Sequence, residues 1–280
     1  MVAGVDGSAG GDAALRWAVD AGRRQDKPVT ALFAWSFLDE RYIDPSYRFE
    51  PGYSEDDARR ALDGFVTRVL EPAQAALIHQ QVACNTPVTA LVDASRSASL
   101  VVVGARGGGG FEGLLFGSTA DRALQRSTAP VAVIRGDAGA SGPVIVGVDG
   151  SPTGDDALRW AVAEARARKC PLEVIHVWDR PAILAHIYMD DAPIFDKYEA
   201  AAEAELDEVL QRVDTDGAEL RRRVVCGGVA HQLLAAASRA SVVVVGSRGL
   251  GSVAGIALGS VSRQVVHHAP CPVVVVPPSG

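Results

Sequence analysis

Two stretches of the chain combine glycine, serine and arginine at a spacing suited to holding phosphate. One reads Gly104-Ala-Arg-Gly107, then nine residues, then Gly117-Ser118. The other reads Gly246-Ser-Arg-Gly249, nine residues, then Gly259-Ser260. Each follows a valine-rich run and precedes a helical pattern. Glycine lets backbone N–H groups approach a ligand closely. A Gly-Ser pair at a helix start offers N–H groups and a hydroxyl where the helix dipole favours anions. Arg106 and Arg248 add a charged donor to each cradle. A glycine-rich loop after a strand often only turns the chain, and two copies made by duplication are not independent, so the spacing alone leaves that plainer alternative open.

Other chemistries lack their residues. A Walker A loop would carry Lys directly before the Ser, and Phe116-Gly117-Ser118 and Leu258-Gly259-Ser260 have none. Gly-Val-Asp-Gly-Ser at the first strand is not the dinucleotide fingerprint. No Gly-x-Ser-x-Gly elbow or HExxH helix is present. His267-His268 precedes a proline and suits the charge of a helix C-terminus better than a ligand pair. His176 lies on an apparent buried strand, where packing is its default role. Cys84, Cys170, Cys226 and Cys271 show no CxxC spacing and read as reduced, mostly buried thiols.

Composition narrows the partners. The 280 residues carry 27 basic and 34 acidic side chains, a formal charge of −7, and no Lys/Arg-rich run. A nucleic-acid surface needs clustered cations to neutralise phosphates, so none is expected. The longest apolar runs fall far short of the roughly 20 residues that cross a bilayer. With no basic n-region or signal-peptide core at the start, a cytoplasmic location is expected.

The chain is written twice. Gly4-Val-Asp-Gly-Ser8 returns as Gly147-Val-Asp-Gly-Ser151, Ala14-Leu-Arg-Trp-Ala-Val19 as Ala157-Leu-Arg-Trp-Ala-Val162, and Pro130-Val-Ala-Val-Ile134 as Pro272-Val-Val-Val-Val276, at an offset of 142 to 143. Domains at 1–136 and 144–280 are expected, joined by a linker at 137–143 of Gly-, Ala- and Ser-rich composition. In the second copy, strands are expected at 144–148, 172–177, 220–225, 242–245 and 273–276, with helices from Ser151-Pro152, at 192–213, at 231–238 and at 260–267. This alternation argues for an α/β fold with an open, doubly wound parallel sheet. Trp17 and Trp160, at matching helical positions, read as core anchors. The segments 36–55 and 179–197 have no regular period and read as lids or partner surfaces.

The pattern Gly-x2-Gly-x9-Gly-Ser after a valine-rich strand, with Val-Gly-Val-Asp-Gly-Ser opening the domain, resembles the universal stress protein family in its tandem, nucleotide-binding form. The resemblance implies two Rossmann-like domains of the adenine nucleotide alpha hydrolase-like type, each an open parallel five-stranded sheet with helices on both faces. It implies ATP, or ADP, at the strand ends, with Mg²⁺. Carried over by position, first-strand contacts are Gly4, Val5 and Asp6 in copy one and Gly147, Val148 and Asp149 in copy two. Adenine contacts are Ala34 and Val177. Phosphate and ribose contacts are Val103, Gly104, Arg106, Gly107, Gly117, Ser118 and Thr119, and Val245, Gly246, Arg248, Gly249, Gly259, Ser260 and Val261. The two aspartates either hold polar groups of the nucleotide or its hydrated Mg²⁺, or simply form the Asp-Gly turn. The resemblance further implies a homodimer, an unidentified protein partner and a sensor with little or no hydrolysis. Alternatives are a slow ATPase or nucleotide-transfer enzyme, and a nucleotide-free interaction module. Glu112 and Asp121, where copy two has Ala254 and Arg263, place acids near the first cradle and favour the second.

Overall fold

The computed structural model describes residues 1–35, 54–107, 116–136, 141–179, 192–250 and 258–279. Most of the segments 36–55 and 179–197, together with Glu112 and Ala254, lies outside the described residues. The chain divides into two compact units, Met1–Ile134 and Arg135–Gly280.

The first unit runs β1 (Val2–Gly4), α1 (Ala9–Gln25), β2 (Thr30–Trp35), α2 (Glu55–Val69), α3 (Pro72–Ala75), β3 (His79–Cys84), α4 (Pro87–Ser95), β4 (Val101–Gly104), α5 (Ser118–Arg126) and β5 (Val131–Ile134). Its strands pair in parallel in the order β3-β2-β1-β4-β5. The second unit repeats the plan with β6 (Val144–Val148), α6 (Pro152–Arg168), β7 (Leu172–Trp178), α7 (Ala192–Arg212), β8 (Leu220–Cys226), α8 (Val229–Ala237), β9 (Val242–Gly246), α9 (Ser260–His268) and β10 (Val273–Val276). Its parallel order is β8-β7-β6-β9-β10.

The elements follow from local chemistry. Val242, Val243, Val244 and Val245 are all buried although successive strand side chains point to opposite faces, so both faces of this sheet are covered. The first helix of each unit starts at a serine whose Oγ accepts an N–H of the first turn: Ser8 from Gly11 at 3.1 Å, Ser151 from Gly154 at 3.0 Å. Both helices close on a left-handed residue, Asp26 (φ 50°) and Lys169 (φ 54°). The cores centre on fully buried Leu15, Leu62 and Leu100 in the first unit and Ile145, Leu158, Leu172 and Leu206 in the second. Each contributes about 1.5–3 kcal/mol of burial. Trp17 is buried as expected of a core anchor, whereas Trp160 is only half-buried. His267 and His268 lie in the last turn of α9. Of the four cysteines expected to be mostly buried only Cys271 is, a free thiol that burial pushes up to a pKa of about 11, whereas Cys84 is exposed and Cys170 and Cys226 are half-buried.

Strand β8 carries three consecutive arginines. Arg221 pairs with Glu219, Arg222 with Asp207 and Arg223 with Glu173, so their charge is met within the unit. Glu173, on β7, is 4% exposed and is gripped by the two terminal guanidinium nitrogens of Arg239 at 2.5 Å. Burial pushes the Glu173 carboxyl up, but the hydrogen bonds and charge of Arg239, with Arg223 behind them, outweigh it and hold the pKa below the ordinary 4.5. A depressed carboxylate contributes stability that is present above its unfolded pKa and lost as pH falls through its folded one. Replacing Arg239 by Met leaves that carboxylate without its main partner. Discounted for the half-exposed Arg, it is expected to cost about 2 kcal/mol at pH 7. Urea unfolding checks this, and the gap from wild type should narrow as pH drops below 4.5.

Candidate functional site

In both units the strand order reverses beside the first strand, where open α/β sheets bind ligands beyond the strand ends. Pairing of β1 with β4 extends to Ala3↔Val102, while β1 continues along β2 to Gly4↔Leu32. In the second unit, β6 and β9 pair as far as Val146↔Val244, while β6 follows β7 to Val148↔His176. The central strands therefore part at their carboxyl ends. Gly4, Val5 and Asp6 stand on one side of the opening with Val103, Gly104, Arg106 and Gly107 on the other. Gly147, Val148 and Asp149 face Val245, Gly246, Arg248 and Gly249 in the same way.

One residue beyond each glycine-ending strand anchors both ends of the following loop. Ala105 donates its N–H to Ile134 O at 2.9 Å and accepts from Gly117 N at 2.8 Å. Ser247 donates to Val276 O and accepts from Gly259 N, both at 2.7 Å. These bonds bring Gly117 and Gly259 back to the strand ends as N-caps of α5 and α9. Neither N-cap has a side-chain hydrogen bond, unlike Ser8 and Ser151. The first-turn N–H groups, starting at Ser118 and Thr119 and at Ser260 and Val261, thus have no side-chain cap among the described residues while carrying the positive end of the dipole. Arg106 and Arg248 are exposed, with no carboxylate partner among the described residues.

The aspartates act as hubs of this geometry. Asp149 Oδ1 accepts from Ser151 N at 3.1 Å and Ser151 Oγ at 2.6 Å, and its Oδ2 accepts from Leu250 N at 2.9 Å. Asp6 Oδ1 accepts likewise from Ser8 N and Oγ. A Cβ on Gly249 would sit 2.4 Å from Asp149 Oδ2, and one on Gly107 would sit 2.5 Å from Asp6 Oδ2. Only glycine lets the loop rest on the carboxylate. The turn-forming role left open by the sequence is therefore the one these side chains visibly fill.

Ala34 and Val177 lie half-buried near the ends of β2 and β7, opposite Ala83 and Val225. His176 is buried and its Nδ1 lies 3.1 Å from Val148 O, while Nε2 is 3.2 Å from a Glu205 carboxylate oxygen. The packing role expected for it thus includes an anchor on the last residue of β6. Sequence reading missed Ser262, whose Oγ donates to Gly246 O at 2.6 Å and ties α9 to β9. The first unit has Ala120 there. Asp121 accepts from Gln125 Nε2 at 2.8 Å, one turn along α5.

Comparisons with known proteins show the family and the fold. The model of the universal stress protein family matches residues 1–135 and again 141–277. A universal stress protein of Mycolicibacterium smegmatis is 34% identical, over 99% of this chain and 97% of its own. One of Mycobacterium tuberculosis is 30% identical, over 98% and 96%. Among solved structures, a universal stress protein of Archaeoglobus fulgidus superposes with a TM-score of 0.66 at 22% identity, covering 100% of this chain and 96% of that one. That likeness bears on the fold, two tandem Rossmann-like α/β domains. The chain belongs to the universal stress protein family, in its tandem form.

If Asp149 holds the loop after β9, replacing it by Ala frees Leu250 N and removes the brace on Ser151. We expect a loss of about 1–2 kcal/mol in stability. Hydrogen exchange should accelerate at Leu250 and at residues 151–154, with the corresponding stretch around Asp6 unchanged.

Proposed function

We propose that each repeat is an adenine-nucleotide sensor that binds ATP, or ADP, at the parted strand ends and hydrolyses it slowly or not at all. The observation that carries this reading is the pair of helix N-termini, α5 and α9, left without side-chain caps and drawn back onto a glycine loop at the switch point of their sheets. Backbone N–H groups together with the neighbouring exposed Arg106 or Arg248 form a donor set for a polyphosphate. Val5, Ala34 and Val103, with Val148, Val177 and Val245, supply apolar walls for a base. In this reading the ligand contacts are those two sets together with Gly4, Asp6, Gly104, Gly107, Gly117, Ser118 and Thr119, and Gly147, Asp149, Gly246, Gly249, Gly259, Ser260 and Val261.

Mg²⁺ fits only as a companion of the nucleotide. Both carboxylate oxygens of Asp149 are engaged by the protein, and among the described residues no group of three or more metal-ligating side chains comes together. A bound ion would take its ligands from phosphate and water. Slow turnover is expected of this donor set, which among the described residues supplies charge stabilisation but neither a phosphate-binding Lys beside the glycines nor a base placed against an attacking water. Nucleotide occupancy would then bias a conformational or assembly equilibrium, including homodimer formation or capture of a partner protein in the cytoplasm during stress or dormancy. No helix among the described residues is long and apolar enough to cross a membrane.

Denaturing freshly purified protein and identifying the released small molecules by mass spectrometry tests this directly, alongside calorimetric titration with ATP. The sharpest variant is Ser260→Glu. An acid in the first turn stabilises a helix, so thermal stability should hold or rise. The same charge repels phosphate, and ATP affinity at the second site should drop by about ten-fold or more. Absence of any released or bindable nucleotide would sink the sensor reading in favour of a ligand-free interaction module.

A further inference from the structure

We infer that Arg68 and Arg212 are positioning residues for the two sites, each locking the strand-end turn that the nucleotide would meet. The inference rests on the nucleotide-binding reading above and concerns residues that the glycine signature does not include.

The same clamp is built twice. In the second unit, Arg212 at the end of α7 donates to Asp155 through Nε at 2.8 Å and through a terminal nitrogen at 3.1 Å, and that terminal nitrogen also reaches Gly150 O at 3.4 Å. In the first unit, Arg68 near the end of α2 donates to Asp12 at 2.6 Å and to Gly7 O at 3.1 Å. Asp12 and Asp155 both lie in the first turn of their helices and are only 16% and 10% exposed at the side chain. One guanidinium thus joins three elements: the helix start, the strand-end turn, and a helix that arrives from 56 or 57 residues away.

The need for such a lock comes from the turn itself. Gly7 and Gly150 have φ of +76° and +78°. Glycine populates both signs of φ at little cost, so nothing intrinsic holds the peptide after it in one orientation. A rotation of that peptide would shift the preceding aspartate, Asp6 or Asp149, and with it the loop whose Gly107 or Gly249 rests on the carboxylate. The guanidinium fixes the carbonyl of that very glycine. In the first unit the face of Phe65 closes the turn as well: a Cβ on Gly7 would lie 2.7 Å from its ring, and Arg68 lies 5.5 Å from the ring centroid. Around Gly150 no atom of the described residues beyond its chain neighbours lies within 4 Å of an added Cβ, which leaves Arg212 as the stronger determinant of the two.

The test uses the full chain and ATP itself as probe, comparing wild type with Arg212→Met, Asp155→Asn, the double variant, and Arg239→Met as a control that destabilises the same unit without touching the turn. Arg212→Met is expected to weaken ATP binding at one of two sites by about ten-fold. Asp155→Asn should act in the same direction, with the double variant no weaker than the poorer single. Arg239→Met should lower the unfolding midpoint and leave the ATP Kd unchanged. Hydrogen exchange of the nucleotide-free chain should quicken at residues 150–154 in Arg212→Met, Asp155→Asn and the double variant, and not in Arg239→Met. An Arg212→Met chain with wild-type ATP affinity, or a loss of affinity that merely tracks stability and appears equally in Arg239→Met, would overturn the inference and leave the sensor reading standing. A wild type that does not bind ATP would overturn that reading and the inference with it.

Discussion

The contact on which the site depends is that of an aspartate with the loop resting on it. Asp149 turns one carboxylate oxygen to Ser151, fixing the start of α6, and the other to Leu250 N, fixing the start of the loop after β9. Two chain segments about a hundred residues apart are thereby joined through one side chain across the point where the sheet reverses. The cost is steric: the loop can come this close only because Gly249 has no side chain. The same trade is made at Asp6 and Gly107. With that junction closed, Ser247 can tie the far end of the loop back to Gly259, and α9 begins where the strands part. A helix start held there has no side-chain cap among the described residues, and under the proposed function its N–H groups are the donors offered to phosphate.

Much of this was legible from the residues. The valine runs define β9 and β10 because only a strand covered on both faces buries four successive β-branched side chains. Ser151-Pro152 announces α6 by the chemistry of its first turn. The helix at 229–237 starts two residues before its expected position because its N-cap is Gly228, which carries no Ser or Asp signal. Glycine spacing marked the loops that close onto Asp6 and Asp149, because a close backbone approach leaves a trace in residue type. The arginine clamps left no such trace. Arg212 and Asp155 are 57 residues apart, and nothing local to either marks the other, although both recur one repeat earlier as Arg68 and Asp12. Burial depth was equally hidden. Trp17 and Trp160 share a helical position, yet one is enclosed and the other half-open, because the helical period fixes direction and not what is packed above.

The two repeats have kept a common frame and changed its fittings. The second adds the Ser262 tie, the His176 anchor and the buried Glu173 with its arginines, where the first has Ala120, Phe33 and Thr30. Phe33 instead packs edge-on against Phe65, with ring centroids 5.5 Å apart, so the first unit closes the region by aromatic contact where the second uses polar ones. Equivalent backbone positions are therefore held by chemically different means, and the two crevices need not share affinity or salt response.

The junction of the first helix with the fourth strand carries this divergence further. In the first repeat Gly10 lies against Gly104, and a Cβ on Gly10 would come within 2.0 Å of Arg106 O. In the second repeat Thr153 takes the place of Gly10 and is accommodated, with its Cγ2 3.0 Å from where a Cβ on Gly246 would stand. Recombination that copied the short stretch around Thr153 into the first half of the gene would drive a threonine into a carbonyl group. The exchange becomes tolerable only if the helix and the loop facing it travel together. Packing at this one crossing thus couples the helix start to the loop facing it, so the residues there are exchangeable between the repeats only as a set.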